Sequence, residues 1–323
     1  MTFDGADTDE VLFEVVGEQP HDAADTRLEG QLSIAPDRAD GPPPYLSPSS
    51  SSTFNSCQKR WQFRYIHRLA DPPGEAAIAG TFAHHVLELL MEEPGPARTV
   101  ERAKAIAREV WPQTAELDDF IALGFDEAEQ RRFRWLAWTA IEGLWKLEDP
   151  TQINVVANEQ KVDTHLGDVP FRGIVDRLER GDSNTGSSTD GPLVVSDYKS
   201  GRAPSPRFAD GRLEQVLLYA AAIEASTGER PTKARLLYLG QQIIETDVTE
   251  EALSSAVGAL GETWVTLNSA VEHDSFEAKP GPLCGWCPYA SECPEGLAEL
   301  EARHISGRIR SSAPSLRFLA SAV

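Results

Sequence analysis

The sequence predicts an α/β domain with a helical insertion near its N-terminal end. Three observations predict it. Helical periodicity dominates the chain from Ser47 to about residue 150. Three β-like runs follow between Asn154 and Tyr198. Beyond them a helix, a short strand and a second helix alternate. The 323 residues suffice for one large domain or two small ones. No internal repeat interrupts this order.

Residues 1–43 carry Asp4, Asp7, Asp9, Glu10, Glu14, Glu18, Asp22, Asp25, Glu29, Asp37 and Asp40 against only Arg27 and Arg38. They lack helical periodicity and run into three prolines, so a disordered or loosely attached acidic tail is expected. The other reading is a strand around Val11 to Val16. A domain over residues 44–304 follows. Ser47-Pro48 predicts a helix start, with serine as cap and proline in the first turn. Phe54, Cys57, Trp61 and Tyr65 then recur at spacings of three and four, which is one helix face. Lys59, Arg60 and Arg64 fall elsewhere around it.

A helical part is expected over about 80–150. Gly80 opens a stretch through Met91 that contains His84, His85 and Glu88, and Pro94 to Pro96 break it. Arg98 to Leu147 reads as helical with a break at Trp111-Pro112. Its second half carries Phe133, Trp135, Trp138, Ile141, Leu144 and Trp145, a stripe that reads as packing rather than as a base-stacking surface.

A core is expected over about 151–245. The runs Asn154 to Val162, Asp168 to Leu178 and Leu193 to Tyr198 read as strands, the last two joined by the polar linker 181–191 as a long hairpin loop. A helix from Arg212 to Ser226, a short strand from Ala234 to Leu239 and a helix from Glu250 to Ser269 follow. Residues 280–294 form a cysteine-rich loop. A short helix and a C-terminal tail, residues 305–323, close the chain.

The net charge of −21 argues against broad non-specific binding to duplex DNA. Its distribution leaves room for a narrow basic channel. The stretch from Cys57 to Arg68 holds Lys59, Arg60, Arg64 and Arg68 with no acid. No apolar run approaches the roughly 20 residues that span a bilayer, and no basic segment precedes an apolar one at the N-terminus. The expected address is the cytoplasm, with no membrane partner.

The chemistry concentrates at the strand ends. Val194 to Val195 lead into Ser196-Asp197-Tyr198-Lys199-Ser200-Gly201. Residues two apart on a strand face the same way, so Asp197 and Lys199 project together. Burying both is costly unless they pair or meet an ion. The preceding strand ends Gly173-Ile174-Val175-Asp176-Arg177, and hairpin pairing would bring Asp176 towards Asp197. Two close carboxylates repel unless they share a proton or a cation. Hard oxygen ligands favour Mg2+ or Mn2+, which can activate water and offset charge on a phosphate. Lys199 beside them can orient the water or stabilise the transition state. Gln215 and Tyr219, four apart on one helix face, add hydrogen-bonding groups.

Four cysteines are present: Cys57, Cys284, Cys287 and Cys293. Clustered cysteines in an intracellular protein suggest metal before disulfide. Cys284, Cys287 and Cys293 form a compact ligand loop, and Cys57 is the cysteine left to complete it. Four thiolates suit zinc or an iron–sulfur cluster, and spacing does not choose between them. Such a site would close a loop of over 200 residues and act as a structural staple.

Taken together, these pieces resemble the RecB-like branch of the PD-(D/E)XK nuclease superfamily. The resemblance covers residues 46 to 294: Leu46 to Ser50 with Cys57, Gly80 to His84, Gly173 to Arg177, Asp197 to Gly201, Gln215 to Tyr219, and the cysteine triplet. It is nearest in character to AddB nuclease domains and four-cysteine CRISPR-associated exonucleases. It implies a restriction-endonuclease-like core, a central mixed β-sheet flanked by helices. It implies that His84, Asp176 and Asp197 ligate Mg2+ or Mn2+, that Lys199 is the catalytic lysine, and that Gln215 and Tyr219 complete the site. His84 is preferred to His85 because it stands four residues after Gly80. Glu159 is an additional candidate whose plainer reading is a solvent-facing strand acid. The cysteines are implied to hold a 4Fe–4S cluster, with zinc the alternative.

The implied function is metal-dependent hydrolysis of DNA, as an exonuclease on single-stranded or frayed ends in repair or recombination. Lys59, Arg60 and Arg64 are candidate contacts to its phosphate backbone. No Gly-x-x-x-x-Gly-Lys-Ser/Thr loop is present, so an ATP motor would come from a separate helicase. The rival readings are an inactive DNA-binding module on the same fold and a CRISPR-type accessory nuclease.

Overall fold

The computed structural model describes residues 41–181, 191–205, 207 and 210–319. The expected acidic tail up to residue 40 and the linker over 182–190 lie outside the described residues. The elements run α1 (Pro48–Ser56), α2 (Gln58–Tyr65), α3 (Glu75–Glu92), α4 (Val100–Glu116), α5 (Asp118–Ile121) and α6 (Glu127–Glu142). Strands β1 (Asn154–Leu166), β2 (Val169–Arg180) and β3 (Leu193–Lys199) come next. Then follow α7 (Asp210–Thr227), β4 (Lys233–Tyr238), β5 (Gln242–Asp247), α8 (Glu250–Glu272) and α9 (Pro294–Ile305). No helix among the described residues is long and apolar enough to cross a membrane.

The strands form one mixed sheet in the order β1-β2-β3-β4-β5. β2 and β3 pair antiparallel, with Arg177 opposite Ser196. β3 and β4 pair parallel, with Asp197 opposite Leu236, and β4 and β5 pair antiparallel. The parallel pair needs a crossover, and α7 supplies it. β3 is buried from Leu193 to Tyr198, as befits a central strand, and opens only at Lys199.

By packing, the described residues fall into two units. The first holds Pro73–Thr164 and Gly173–Ala256. Its core joins α3, α4 and α6 to Tyr198 and Leu237 of the sheet and to Leu239 in the turn after β4. Phe82, Trp111, Phe120 and Phe133 interlock edge-on at its centre. The second unit holds residues 41–72, His165–Arg172 and those from Val257 on. There Leu46 pairs with Phe171 in an isolated parallel bridge, and Trp61 stacks between Tyr65 and Phe276.

Several local expectations are revised. The helix face through Phe54, Cys57, Trp61 and Tyr65 is broken in two, because Cys57 is extended (φ −167°, ψ 111°) between α1 and α2. Gly80 does not open its helix but lies in its second turn, where a Cβ would come 2.8 Å from Ser200 Oγ. α4 runs through Pro112, and the break falls at Leu117 instead. The edge strand β5 was not anticipated. Its composition, Gln-Ile-Ile-Glu-Thr-Asp, is the charged and short kind that blunts sheet edges. Of the aromatic stripe on α6, Phe133, Trp138 and Ile141 are buried as packing, while Trp135 is 53% exposed. The segment after α9, expected as a tail, packs onto the cysteine loop, where Ser315 Oγ donates to the Cys287 carbonyl at 2.8 Å.

Candidate active site

β2, β3, α3 and α7 bring the predicted catalytic residues together in the first unit. Asp176 sits four residues from the end of β2 and accepts a 2.7 Å hydrogen bond from the Tyr198 backbone N–H of β3. That bond fixes the two strands where Asp197 and Lys199 project. Lys199 Nζ lies 2.5 Å from Asp197 Oδ2 and donates to Gln215 Oε1 at 3.2 Å. Gln215, on α7, donates from Nε2 to Asp197 Oδ1 at 2.8 Å and to Tyr219 Oη at 3.4 Å. Asp197, Lys199, Gln215 and Tyr219 are thus one hydrogen-bonded chain. His84, on α3, approaches Asp176 Oδ2 with Nδ1 at 3.4 Å and meets the Tyr198 ring edge-on.

Glu159 joins this site. It stands in β1 at φ +46°, a left-handed conformation that is uncommon for a side-chain-bearing residue inside a strand. Among the described residues, ligand atoms of His84, Glu159 and Asp176 lie within 4.8 Å of one another. A nitrogen and two carboxylates at that spacing fit a divalent cation. Asp197, expected as a third ligand, stands beside this group and is held by Lys199 and Gln215.

The electrostatics reflect crowding of like charge. Burial, then Asp176, Glu88 and Asp197, push Glu159 up to about 9. Burial and Asp176 push Asp197 up to about 6 against the opposing pull of Lys199. Burial alone would lower the Lys199 ammonium, but Asp197 and Asp176 outweigh it and the net shift is upward. Lys199 therefore stands as a cation. Tyr219 is raised by burial and then by Asp197, so its hydroxyl keeps its proton. Without a cation the site is a set of carboxylates held by a single lysine, and this donor set invites a metal.

The four cysteines lie in the second unit and line one cavity of about 30 Å³. The Gly281 N–H donates to Cys284 Sγ at 3.4 Å and the Gly296 N–H to Cys293 Sγ at 3.3 Å. A Cβ at Gly296 would lie 3.2 Å from Cys293 Sγ and 3.9 Å from Cys284 Sγ, so bare backbone keeps the space between those sulfurs open. Burial pushes the Cys287 and Cys293 thiols up. Four sulfurs around one cavity, with amide donors on two of them, fit a thiolate-ligated metal group.

Of the expected DNA contacts, Arg64 pairs with Asp71 at 3.2 Å and Arg60 with the same carboxylate at 3.8 Å. Lys59 lies over the Phe63 ring. Asp71 thus offsets part of the basic cluster. Sequence reasoning missed the partners of the residue after Asp176. Arg177 is fully buried and bound to Glu148, Glu179 and Tyr198. Glu148 precedes β1 in a stretch with no motif, so pattern alone gave no signal.

The sequence model of the PD-(D/E)XK nuclease superfamily matches residues 45–294. The chain belongs to that superfamily, whose nucleases generally work with divalent cations such as Mg2+ or Mn2+. No curated protein matches the chain. A solved protein of Eubacterium rectale, provisionally named an exonuclease, is similar over 84% of this chain and 94% of its own. Its identity is 14% and its TM-score 0.40, and the assignment rests on the family match alone.

Proposed function

We propose that this protein is a deoxyribonuclease of the RecB-like branch that hydrolyses phosphodiester bonds at single-stranded or frayed DNA ends in repair or recombination, in the cytoplasm. The observation that carries the reading is the meeting of His84, Glu159 and Asp176 with the Asp197–Lys199–Gln215–Tyr219 chain in a member of a nuclease family. His84, Asp176, Glu159 and Asp197 are the residues that would hold Mg2+ or Mn2+. When bound, such a cation supplies a Lewis acid for the phosphate and lowers the pKa of water.

The chain's own groups do the rest. Lys199, kept protonated by Asp197, offers an N–H donor and a positive charge to water or to a phosphoryl oxygen. Gln215 holds Lys199 and Asp197 in register, with its carbonyl on one and its amide on the other. Tyr219 anchors Gln215 in turn. In hydrolysis, a water oxygen forms the new bond to phosphorus, the bond to the leaving deoxyribose oxygen breaks, and the water's proton passes to that leaving oxygen or to solvent.

The test is cleavage of end-labelled single-stranded DNA with Mg2+ or Mn2+ by anaerobically purified wild type and Lys199→Ala. The variant is expected to lose about 10²–10³-fold in kcat. Equal cleavage by both proteins would sink the reading.

We propose further that Cys57, Cys284, Cys287 and Cys293, whose side chains line one cavity, hold a 4Fe–4S cluster in a structural role. Anaerobic protein should carry about four irons per chain with visible cluster absorption. One zinc per chain and no iron would replace the cluster with zinc.

A further inference from the structure

Beyond Lys199 the chain turns at Gly201 and passes through Arg202 before Ala203. Both sides of Arg202 are held by one side chain. Gln241 Nε2 donates to the Gly201 carbonyl at 2.8 Å, and the Ala203 N–H donates to Gln241 Oε1 at 2.9 Å. Both ends of the amide are therefore engaged by the backbone that flanks a single residue. Gln241 is itself fixed. It follows Gly240, whose φ of +73° makes the turn between β4 and β5, and the Gly240 N–H donates to the Gly143 carbonyl at 3.1 Å. The approach there is so close that a Cβ on Gly143 would collide with the Gly240 backbone. The end of β3 is tied to the same turn, since the Leu239 N–H donates to the Lys199 carbonyl at 3.0 Å.

All this rigidity presents one exposed guanidinium. Arg202 is exposed and has no ion-pair or hydrogen-bond partner among the described residues. Elsewhere arginines are mostly spoken for: Arg60 and Arg64 by Asp71, Arg102 by Glu93, Arg132 by Glu75. Three residues of chain reach at most about 10–11 Å, so Arg202 stands within one or two phosphate spacings of Lys199. In a chain of net charge −21 with carboxylates in its active site, a polyanionic strand needs a local cation beside the chemistry.

We propose that Arg202 is a backbone-phosphate contact for the strand entering the active site, and that Gln241 is the positioning residue that presents it. This rests on the nuclease reading above and names how that site holds its substrate.

The test uses the full chain and a labelled single-stranded oligonucleotide over a KCl series. Cleavage gives KM and kcat, and fluorescence anisotropy with Lys199→Ala proteins gives Kd on uncut DNA. Arg202→Ala should raise KM about 5–10-fold with kcat within about twofold, and should lower the slope of log Kd against log salt by about 0.7. Arg202→Lys should recover the slope but not all the affinity, because an ammonium lacks the bidentate fork. Gln241→Ala should raise KM severalfold alone and add nothing in the Arg202→Ala background. Unchanged KM and slope in Arg202→Ala, in a protein that cleaves DNA, overturns the proposal. So does a Gln241→Ala effect that persists undiminished without Arg202, since the clamp would then serve the end of β3. If the wild type does not cleave, the nuclease reading fails, and the anisotropy slopes alone decide for or against Arg202.

Discussion

Asp176 and Arg177 are neighbours on one strand, yet they look into opposite worlds. Successive residues of β2 face opposite sides of the sheet. On one side, Asp176 joins Glu159, Asp197 and His84, with Lys199 as the balancing cation. On the other, Arg177 is fully buried, and every charge finds its counterpart. Glu148 takes two of its N–H groups at 2.6 and 3.0 Å, Tyr198 Oη takes a third hydrogen bond at 2.7 Å, and Glu179 Oε2 forms an ion pair with Nε at 2.6 Å. Arg235 then closes the network by reaching Glu179 at 3.2 Å and Glu245 at 3.1 Å. A balanced buried network holds structure. An unbalanced one is held in place by the structure around it, and it awaits a ligand. The two are mechanically joined, because Tyr198 bonds the network through its hydroxyl and the site through its backbone N–H.

The sharpest way to break this contrast is to unbalance the closed side. Arg177→Met leaves Glu148 buried without its cation, and Glu179 with Arg235 alone. The expected cost is about 3–5 kcal/mol of unfolding free energy, read from urea or thermal denaturation. Adding Glu148→Leu should return part of that loss, because the stranded carboxylate is then gone. A single variant costing under about 1 kcal/mol would show that the network is not the rigid counterpart described.

How much of this was readable beforehand differs between the two sides. The open side was legible because its residues sit at fixed spacings on predictable elements: Asp197 and Lys199 two apart on a strand, Gln215 and Tyr219 four apart on a helix. The closed side was not, because Arg177, Glu148 and Arg235 come from three separate segments and only the fold joins them. From sequence Glu159 reads most plainly as a solvent-facing strand acid, because alternation along β1 assumes regular strand geometry. Its positive φ breaks that assumption locally and is invisible in composition. The kink at Cys57 escaped for a similar reason. Apolar spacing continued across it, while the extended backbone at the cysteine interrupted the helix.

Glu159 offers the next effect in size, through metal and protons together. Its folded pKa of about 9 is above the usual carboxylate value, so the metal-free fold holds a proton that the unfolded chain has released. Its stabilising contribution is complete below about pH 4.5 and is lost as pH rises through about 9. Metal-free wild type should therefore lose stability across that window, and Glu159→Gln should flatten the decline, since an amide has no such proton. If Glu159 ligates the cation, adding Mn2+ near pH 8 should expel close to one proton, measurable by calorimetry in buffers of different ionisation enthalpy. The variant should release fewer protons and need about 10–100-fold more metal for half-maximal cleavage. Equal proton release by both proteins would return Glu159 to the role of bystander.

The smallest effect probes how tightly the open side is built. Gly80, inside α3, faces Ser200 just past Lys199, and a Cβ there would meet Ser200 Oγ at 2.8 Å. That atom ends a short exposed side chain, which can turn away. Gly80→Ala should thus cost about two- to threefold in kcat, while alanine's helix preference offsets the strain by up to about 1 kcal/mol. Removing the obstacle decides whether contact or flexibility is responsible. In Gly80→Ala/Ser200→Ala the clash is gone, so kcat should return to the level of Ser200→Ala and the melting temperature should exceed wild type. If the double variant stays slow, the glycine serves motion of α3 rather than its close approach to the turn, and the open side would then be the more mobile as well as the more highly charged of the two.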